Sequence, residues 1–197
     1  MFPQLDAKAK IPTPPGFRYQ PELLDKTEED ALANALSRLA LRPFEFHGYG
    51  AKRRVVSFGL RYDYARRGIE LSDAAPRFLD DLRNKIAEFA GRQPGEFVQV
   101  GVNEYRPGSG IGWHRDKPEF GDVVGVSLLY PAKMRFRRRK ENGWVRTSQI
   151  LEPRSVYILT AEARQVWEHS IPPTRSLRYS LTFRTLASGT PVSIPSY

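Results

Sequence analysis

The chain contains no cysteine. That one absence excludes a disulfide scaffold, Cys-ligated zinc, an iron–sulfur cluster and thiolate catalysis. Long apolar runs are missing as well, so no segment is expected to cross a membrane as a helix. The opening MFPQLDAKAK lacks the apolar stretch of a signal peptide, and a cytoplasmic, monomeric protein is expected. No internal repeat is visible. Histidine is scarce: His47, His114 and His169 are the only three. Acidic residues are outnumbered, 22 against 31 Lys and Arg, for a net charge of +9. Such a balance favours a polyanionic partner, nucleic acid above all, although a solvated basic surface gives the same number.

What is present suits one folded domain over 1–197: 40% of residues are hydrophobic and 12% aromatic, enough for a sizeable core. Residues 1–22 carry five prolines and read as an extended arm. A helix is expected next, capped by Thr27 with Asp30 three residues on, its buried face formed by Leu32, Ala35, Leu36 and Leu39 and its end marked by Pro43. A second is expected from Asp73 to Ala90, with Pro76 in its first turn and Gly91 as C-cap. The rest reads as short strands: Val55–Leu60, Phe97–Tyr105, Val123–Tyr130, Met134–Arg138, Trp144–Leu151, Ser155–Thr160, Ala163–Glu168 and Leu177–Leu186. Asn142-Gly143 signals a tight hairpin. The predicted class is mostly β (α+β): a jelly roll over 97–186 supported by two N-terminal helices.

His114-Arg115-Asp116 is the one chemically suggestive tripeptide. On an extended strand residues i and i+2 point the same way, so imidazole and carboxylate converge. With His169 as a distant third donor they compose a two-His, one-carboxylate set that leaves positions open on Fe(II). Other metals, or a catalytic His–Asp pair, also fit these residues. Farther on, Arg178, Ser180, Thr182 and Arg184 share one face of a strand. Two arginines there suit planar recognition of carboxylates, while a solvent-facing edge strand is the plainer reading.

Taken in order, Asn103-Glu104-Tyr105, His114-Arg115-Asp116, His169, then Arg178 and Arg184 six apart resemble the AlkB-like family of Fe(II)/2-oxoglutarate-dependent dioxygenases. The stretch from Arg54 to Tyr64 (RVVSFGLRYDY) resembles the hairpin that precedes the core in that family. The resemblance implies a double-stranded β-helix, with Fe(II) as cofactor and 2-oxoglutarate and O2 as cosubstrates. His114, Asp116 and His169 would be the iron ligands and catalytic centre. Arg178 would pair with the distal carboxylate of 2-oxoglutarate beside Tyr105 and Ser180. Asn103 and Arg184 would lie near its other carboxylate, Arg184 also orienting Asp116. The activity implied is oxidation of a substrate C–H bond and, on an N-methyl group, release of formaldehyde.

For the substrate, residues 44–68 form a candidate nucleotide-recognition hairpin. Its cations, Arg54 among them, interleave with Phe58, Tyr62 and Tyr64, a pattern suited to phosphates and an unstacked base. Val55, Phe58 and Tyr62 could equally be core packing. Pro118 stands where many base-repair members carry an acidic residue, and Glu119 beside it is a candidate substrate contact. Alkylated DNA or RNA is the expected substrate. A protein or peptide demethylase or hydroxylase, or a non-catalytic nucleic-acid-binding module, are the alternatives. The run KMRFRRRK (133–140) alternates apolar and basic residues and reads as a strand with one solvated basic face.

Overall fold

The computed structural model describes residues 12–46, 49–63 and 68–193. Two sheets, antiparallel but for one terminal pair, face each other across a cleft. In chain order the elements are β1 (Phe17–Gln20), α1 (Lys26–Ser37), β2 (Arg42–Phe46), β3 (Tyr49–Asp63), β4 (Gly68–Leu71), a 3₁₀ turn (Arg77–Leu79), α2 (Asp80–Ala90), β5 (Phe97–Tyr105), β6 (Ile111–His114), β7 (Phe120–Leu128), β8 (Ala132–Lys140), β9 (Gly143–Leu151), β10 (Ser155–Leu159), α3 (Ala161–Gln165), β11 (Glu168–Ile171), β12 (Arg178–Leu186) and β13 (Val192–Ser193). The major sheet runs β1-β10-β7-β12-β5-β3-β4-β13, with β2 on β3; the minor sheet runs β6-β11-β8-β9. This is a jelly roll with helices on its outside.

Alternation along three central strands explains the layering. Val100 and Val102 of β5, Val124, Val126 and Leu128 of β7, and Tyr179, Leu181 and Phe183 of β12 are buried together with Leu32 and Leu36 of α1 and Leu82 and Ile86 of α2. The opposite face, Gln99, Gly101, Asn103 and Tyr105 against Arg184, Thr182, Ser180 and Arg178, is in strict register and turns to the cleft. A second cluster, including Phe17, Met134, Phe136, Leu151 and Trp167, packs around the minor sheet. Gly143, at φ +119°, lets β8 and β9 pair from Lys140↔Gly143 onward, the hairpin expected at Asn142-Gly143.

Three expected elements differ. Helix α1 is capped by Asp25 instead of Thr27: Glu28 N–H donates to Asp25 Oδ1 (2.8 Å) and Asp25 N–H to Glu28 Oε2 (3.0 Å), a reciprocal box that Thr27, inside the first turn, cannot make. Helix α2 begins at Asp80, not Asp73, because the Asp73 carbonyl accepts from Gly59 N–H (2.7 Å) and Pro76 disfavours helix at the residue before it; Gly91 is its left-handed C-cap as expected. Residues 161–165 form α3 where a strand over Ala163–Glu168 was anticipated, and the strand starts at Glu168. The arm is partly a strand, β1 pairing with β10. Residues 1–11 of the arm, with His47 and Tyr64, lie outside the described residues.

Removing the box with Asp25→Ala should cost about 1 kcal/mol, read as a lower urea midpoint with unchanged m-value.

Candidate metal and cosubstrate centre

β6 and β11 pair so that His114 lies directly opposite His169, their ring centroids 4.3 Å apart. Asp116 follows in the loop after β6. One donor atom from each of His114, Asp116 and His169 lies within 4.8 Å of the others. The carboxylate joins the imidazoles without strand geometry, because β6 ends at His114 and the loop itself brings Asp116 back. Two arginines fix it there. Arg184 Nε and Nη2 both donate to Asp116 Oδ1, at 3.1 and 2.7 Å. Buried Arg164, from α3, donates to the carbonyls of Asp116 (3.2 Å), Lys117, Phe120 (2.6 Å) and Gly121 (2.8 Å), clamping both ends of the loop.

Electrostatics at this point favour ligation. Burial would raise the Asp116 carboxyl, but Arg184, then His169, His114 and Arg164, outweigh it and hold the group well below the usual carboxylate range. Burial, reinforced by His114, pushes His169 down to about 3 against the pull of Asp116, so its imidazole is neutral at pH 7. Neutral imidazole and ionised carboxylate are the forms that bind metal. His114 Nδ1 lies 2.9 Å from the Gly112 carbonyl, an arrangement that places the proton on Nδ1 and the lone pair on Nε2. His169 Nε2 is 3.5 Å from Asp116 Oδ2.

The row on β12 continues the site. Arg178 is 1% exposed, and its Nε donates to Ser127 Oγ (3.1 Å). Its two terminal nitrogens are buried without a hydrogen-bond partner among the described residues. The guanidinium carbon lies 5.1 Å from the Tyr105 ring. A guanidinium stays protonated at physiological pH, and leaving two of its nitrogens buried and unmet is costly unless an anion completes the site. Asn103 and Ser180, cross-strand neighbours, and Tyr157 line the same cleft, whose volume is about 1820 Å³. Tyr157 fits only because residue 125 is glycine: a Cβ there would lie 2.1–2.4 Å from the ring.

Residues 16–184 match the pattern of the 2OG-Fe(II) oxygenase superfamily. The chain belongs to that superfamily. It is an AlkB-like oxygenase: the Alkylated DNA repair protein ALKBH8 homolog of Arabidopsis thaliana is 29% identical over 85% of this chain and 53% of its own length. The chain spans between 25% and 61% of the length of the first curated relatives it matches. Among solved structures, OsALKBH1 superposes with a TM-score of 0.61 at 17% identity, over 89% of this chain and 99% of its own. A Pseudomonas putida prolyl-4-hydroxylase does so equally, at 0.61 and 15% identity, over 88% and 94%. Membership makes the chain a dioxygenase using Fe(II), 2-oxoglutarate and O2. The donor set fits Fe(II), and the unmet nitrogens of Arg178 fit a carboxylate of 2-oxoglutarate.

In this oxygenase the expected substrate residues separate. Tyr62 lines the cleft, and Phe58 lines it while packing in the main core. Arg54 does not reach it: the guanidinium donates to the Leu41 carbonyl (3.2 and 3.0 Å) and Glu104 (3.1 Å), because its register neighbour is Glu104 and the next residue, Val55, takes the cleft side. Glu119 is likewise absent from the lining, although Pro118 and Phe120 are in it. Arg164, Ser127 and Tyr157 escaped the sequence reading. Arg164 sat inside an expected strand, and the other two are single polar groups in apolar strands with no motif to mark them.

Arg178→Ala should raise the KM for 2-oxoglutarate roughly ten- to hundredfold, the range for losing a charge-assisted contact, as read by succinate formation. Arg164→Met should destabilise the fold by roughly 3 kcal/mol or more in urea and weaken Mn(II) binding. Arg164→Lys should recover less than half of either, since an ammonium cannot span four carbonyls.

Proposed function

We propose that the chain oxidatively demethylates N-alkylated bases in DNA or RNA, releasing formaldehyde, with succinate and CO2 formed from 2-oxoglutarate. The make-up of the cleft mouth carries this reading. Arg53 stacks on Phe44 at 4.0 Å and Lys117 lies 4.3 Å from the Tyr62 ring. Arg61, Trp113 and Arg115 line the same cleft as His114, Asp116 and His169. Aromatic faces for an unstacked base, with cations for the flanking phosphates, are what chemistry on a flipped-out base requires. The net charge of +9 supports a polyanionic substrate. So does the relative named for alkylated DNA repair. On this reading residues 44–68 hold the nucleotide-recognition hairpin, with Tyr62 its aromatic at the cleft and Phe58 its anchor in the core.

His114, Asp116 and His169 would hold Fe(II), which supplies dioxygen activation coupled to oxidative decarboxylation of 2-oxoglutarate. Arg178, oriented by Ser127 and flanked by Tyr105 and Ser180, anchors the far carboxylate of the cosubstrate. Arg184 neutralises Asp116 and aims it, with Asn103 alongside. Arg178, Ser180, Tyr105 and His169 are buried and His114, Asp116, Asn103 and Arg184 half-buried, so each charge here counts for more than in solution.

Mass spectrometry of methylated DNA and RNA oligonucleotides and methylated peptides, incubated with protein, Fe(II), 2-oxoglutarate and ascorbate, tests the assignment, with Asp116→Ala as the inactive control. Loss of one CH2 from an oligonucleotide, matched by succinate, is expected. Succinate matched instead by a demethylated or hydroxylated peptide would replace the nucleic-acid reading with the protein one.

A further inference from the structure

The outer surface of the minor sheet carries a charge pattern that the catalytic site does not use. The inner face of β8 holds buried Met134 and Phe136, with Phe136 in register with His169. Alternate residues must therefore face away from the cleft. Register places Lys133, Arg135, Arg137 and Arg139 of β8 on that side beside Ile150, Ser148, Arg146 and Trp144 of β9, with Ser170 and Glu168 of β11 completing it. Five cations thus share one face with a single carboxylate, Glu168, which accepts from Arg137 Nε. Arg137 and Arg146 stand directly opposite each other, a like-charge pairing that weakens a sheet unless something else selects it. Arg139 and Arg146 make no ion pair among the described residues, and they and Lys133 are exposed.

Two tryptophans interleave with these cations. Arg135 and Arg137 lie over Trp113 at 5.0 and 4.5 Å, and Arg137 and Arg139 over Trp144 at 4.3 and 5.5 Å. A guanidinium stacked on an indole loses side-chain freedom while its in-plane N–H groups still point outward, a pre-organised donor for phosphate oxygens. The row from Lys133 to Arg139 is about 20 Å long at about 6.7 Å per alternate residue. It reaches the rim of the cleft at Trp113 and at Glu168, the first residue of β11, both of which also line the cleft.

We propose that this face is a track for the backbone of a nucleic-acid strand whose reacting nucleotide occupies the cleft. The proposal rests on the nucleic-acid reading above and says where the rest of the strand lies. An anionic membrane would lack the continuity with the cleft that a polymer supplies, and cations interleaved with indole rings suit bases and phosphates rather than an acidic peptide.

The test is fluorescence anisotropy with labelled single-stranded oligonucleotides of about twenty and about five nucleotides, the shorter spanning the cleft alone. The wild-type chain is compared with Lys133→Glu/Arg139→Glu/Arg146→Glu and with the milder triple Gln variant. All three residues are exposed and outside the catalytic machinery. The longer probe should lose at least about tenfold in affinity in the Glu variant, less in the Gln variant, and the log–log salt slope should fall by about 2. Affinity for the shorter probe and substrate-independent succinate formation should not change. Equal affinity of wild type and variants for the longer probe would overturn the track and leave the substrate reading intact. Loss of binding in the variants, with no base demethylated in the oligonucleotide panel, would overturn the substrate reading and with it the reacting nucleotide in the cleft, leaving a nucleic-acid-binding face alone. A wild-type chain that binds neither oligonucleotide but binds phosphatidylserine vesicles or polyglutamate would overturn both.

Discussion

A guanidinium taken out of water must be met by oxygen, and three that are buried or nearly so organise this molecule. Arg164 is met by four main-chain carbonyls of the loop that carries Asp116. Arg184 is met by Asp116 itself, by Gln99 (2.7 Å) and by Thr182 (2.9 Å). Arg178 is met on one side by Ser127 and turns its remaining nitrogens to the cleft. Losing any of these oxygens leaves a buried charge uncompensated, so position and electrostatics are locked together. The Asp116 carboxylate is held from both directions: Arg184 takes one of its oxygens, and Arg164 stops the backbone behind it from moving.

The sheet architecture follows from the same polar row. β5, β7 and β12 are apolar on one face, which the two helices cover, and polar or small on the other. Such a face could have looked onto water. Instead the minor sheet closes over it, with His114 and His169 opposite one another on paired strands. The result is an interior lined by groups that want a metal and an anion, which is why the fold and the cofactor chemistry cannot be separated here.

Substrate choice is decided elsewhere. Superposition is equally good on an ALKBH protein and on a prolyl hydroxylase, so the framework alone names no substrate. The rim, contributed by β2, β3 and the segment 115–118, and the outside of the minor sheet carry the groups that the metal and cosubstrate centre does not use. In this chain both regions are rich in cations set against aromatic rings, and they meet at Trp113.

Much was legible in the sequence because it is local or periodic. Strand alternation showed which residues of β12 share a face, β5 appears with the boundaries its pattern predicts, and His114-Arg115-Asp116 and His169 mark themselves as the few residues able to form such a cluster. The amino-acid order by itself therefore determined which side chains each strand offers to which side, since that depends only on the two-residue period of extended backbone. It could not reveal that 161–165 coils into α3 and sends Arg164 inward, that Tyr157 leans over Gly125, or that Arg54 is taken up by Glu104 instead of the cleft. Those outcomes rest on contacts between segments distant in the chain, where burial and the satisfaction of main-chain carbonyls outweigh local preference. Only the tertiary structure decides them.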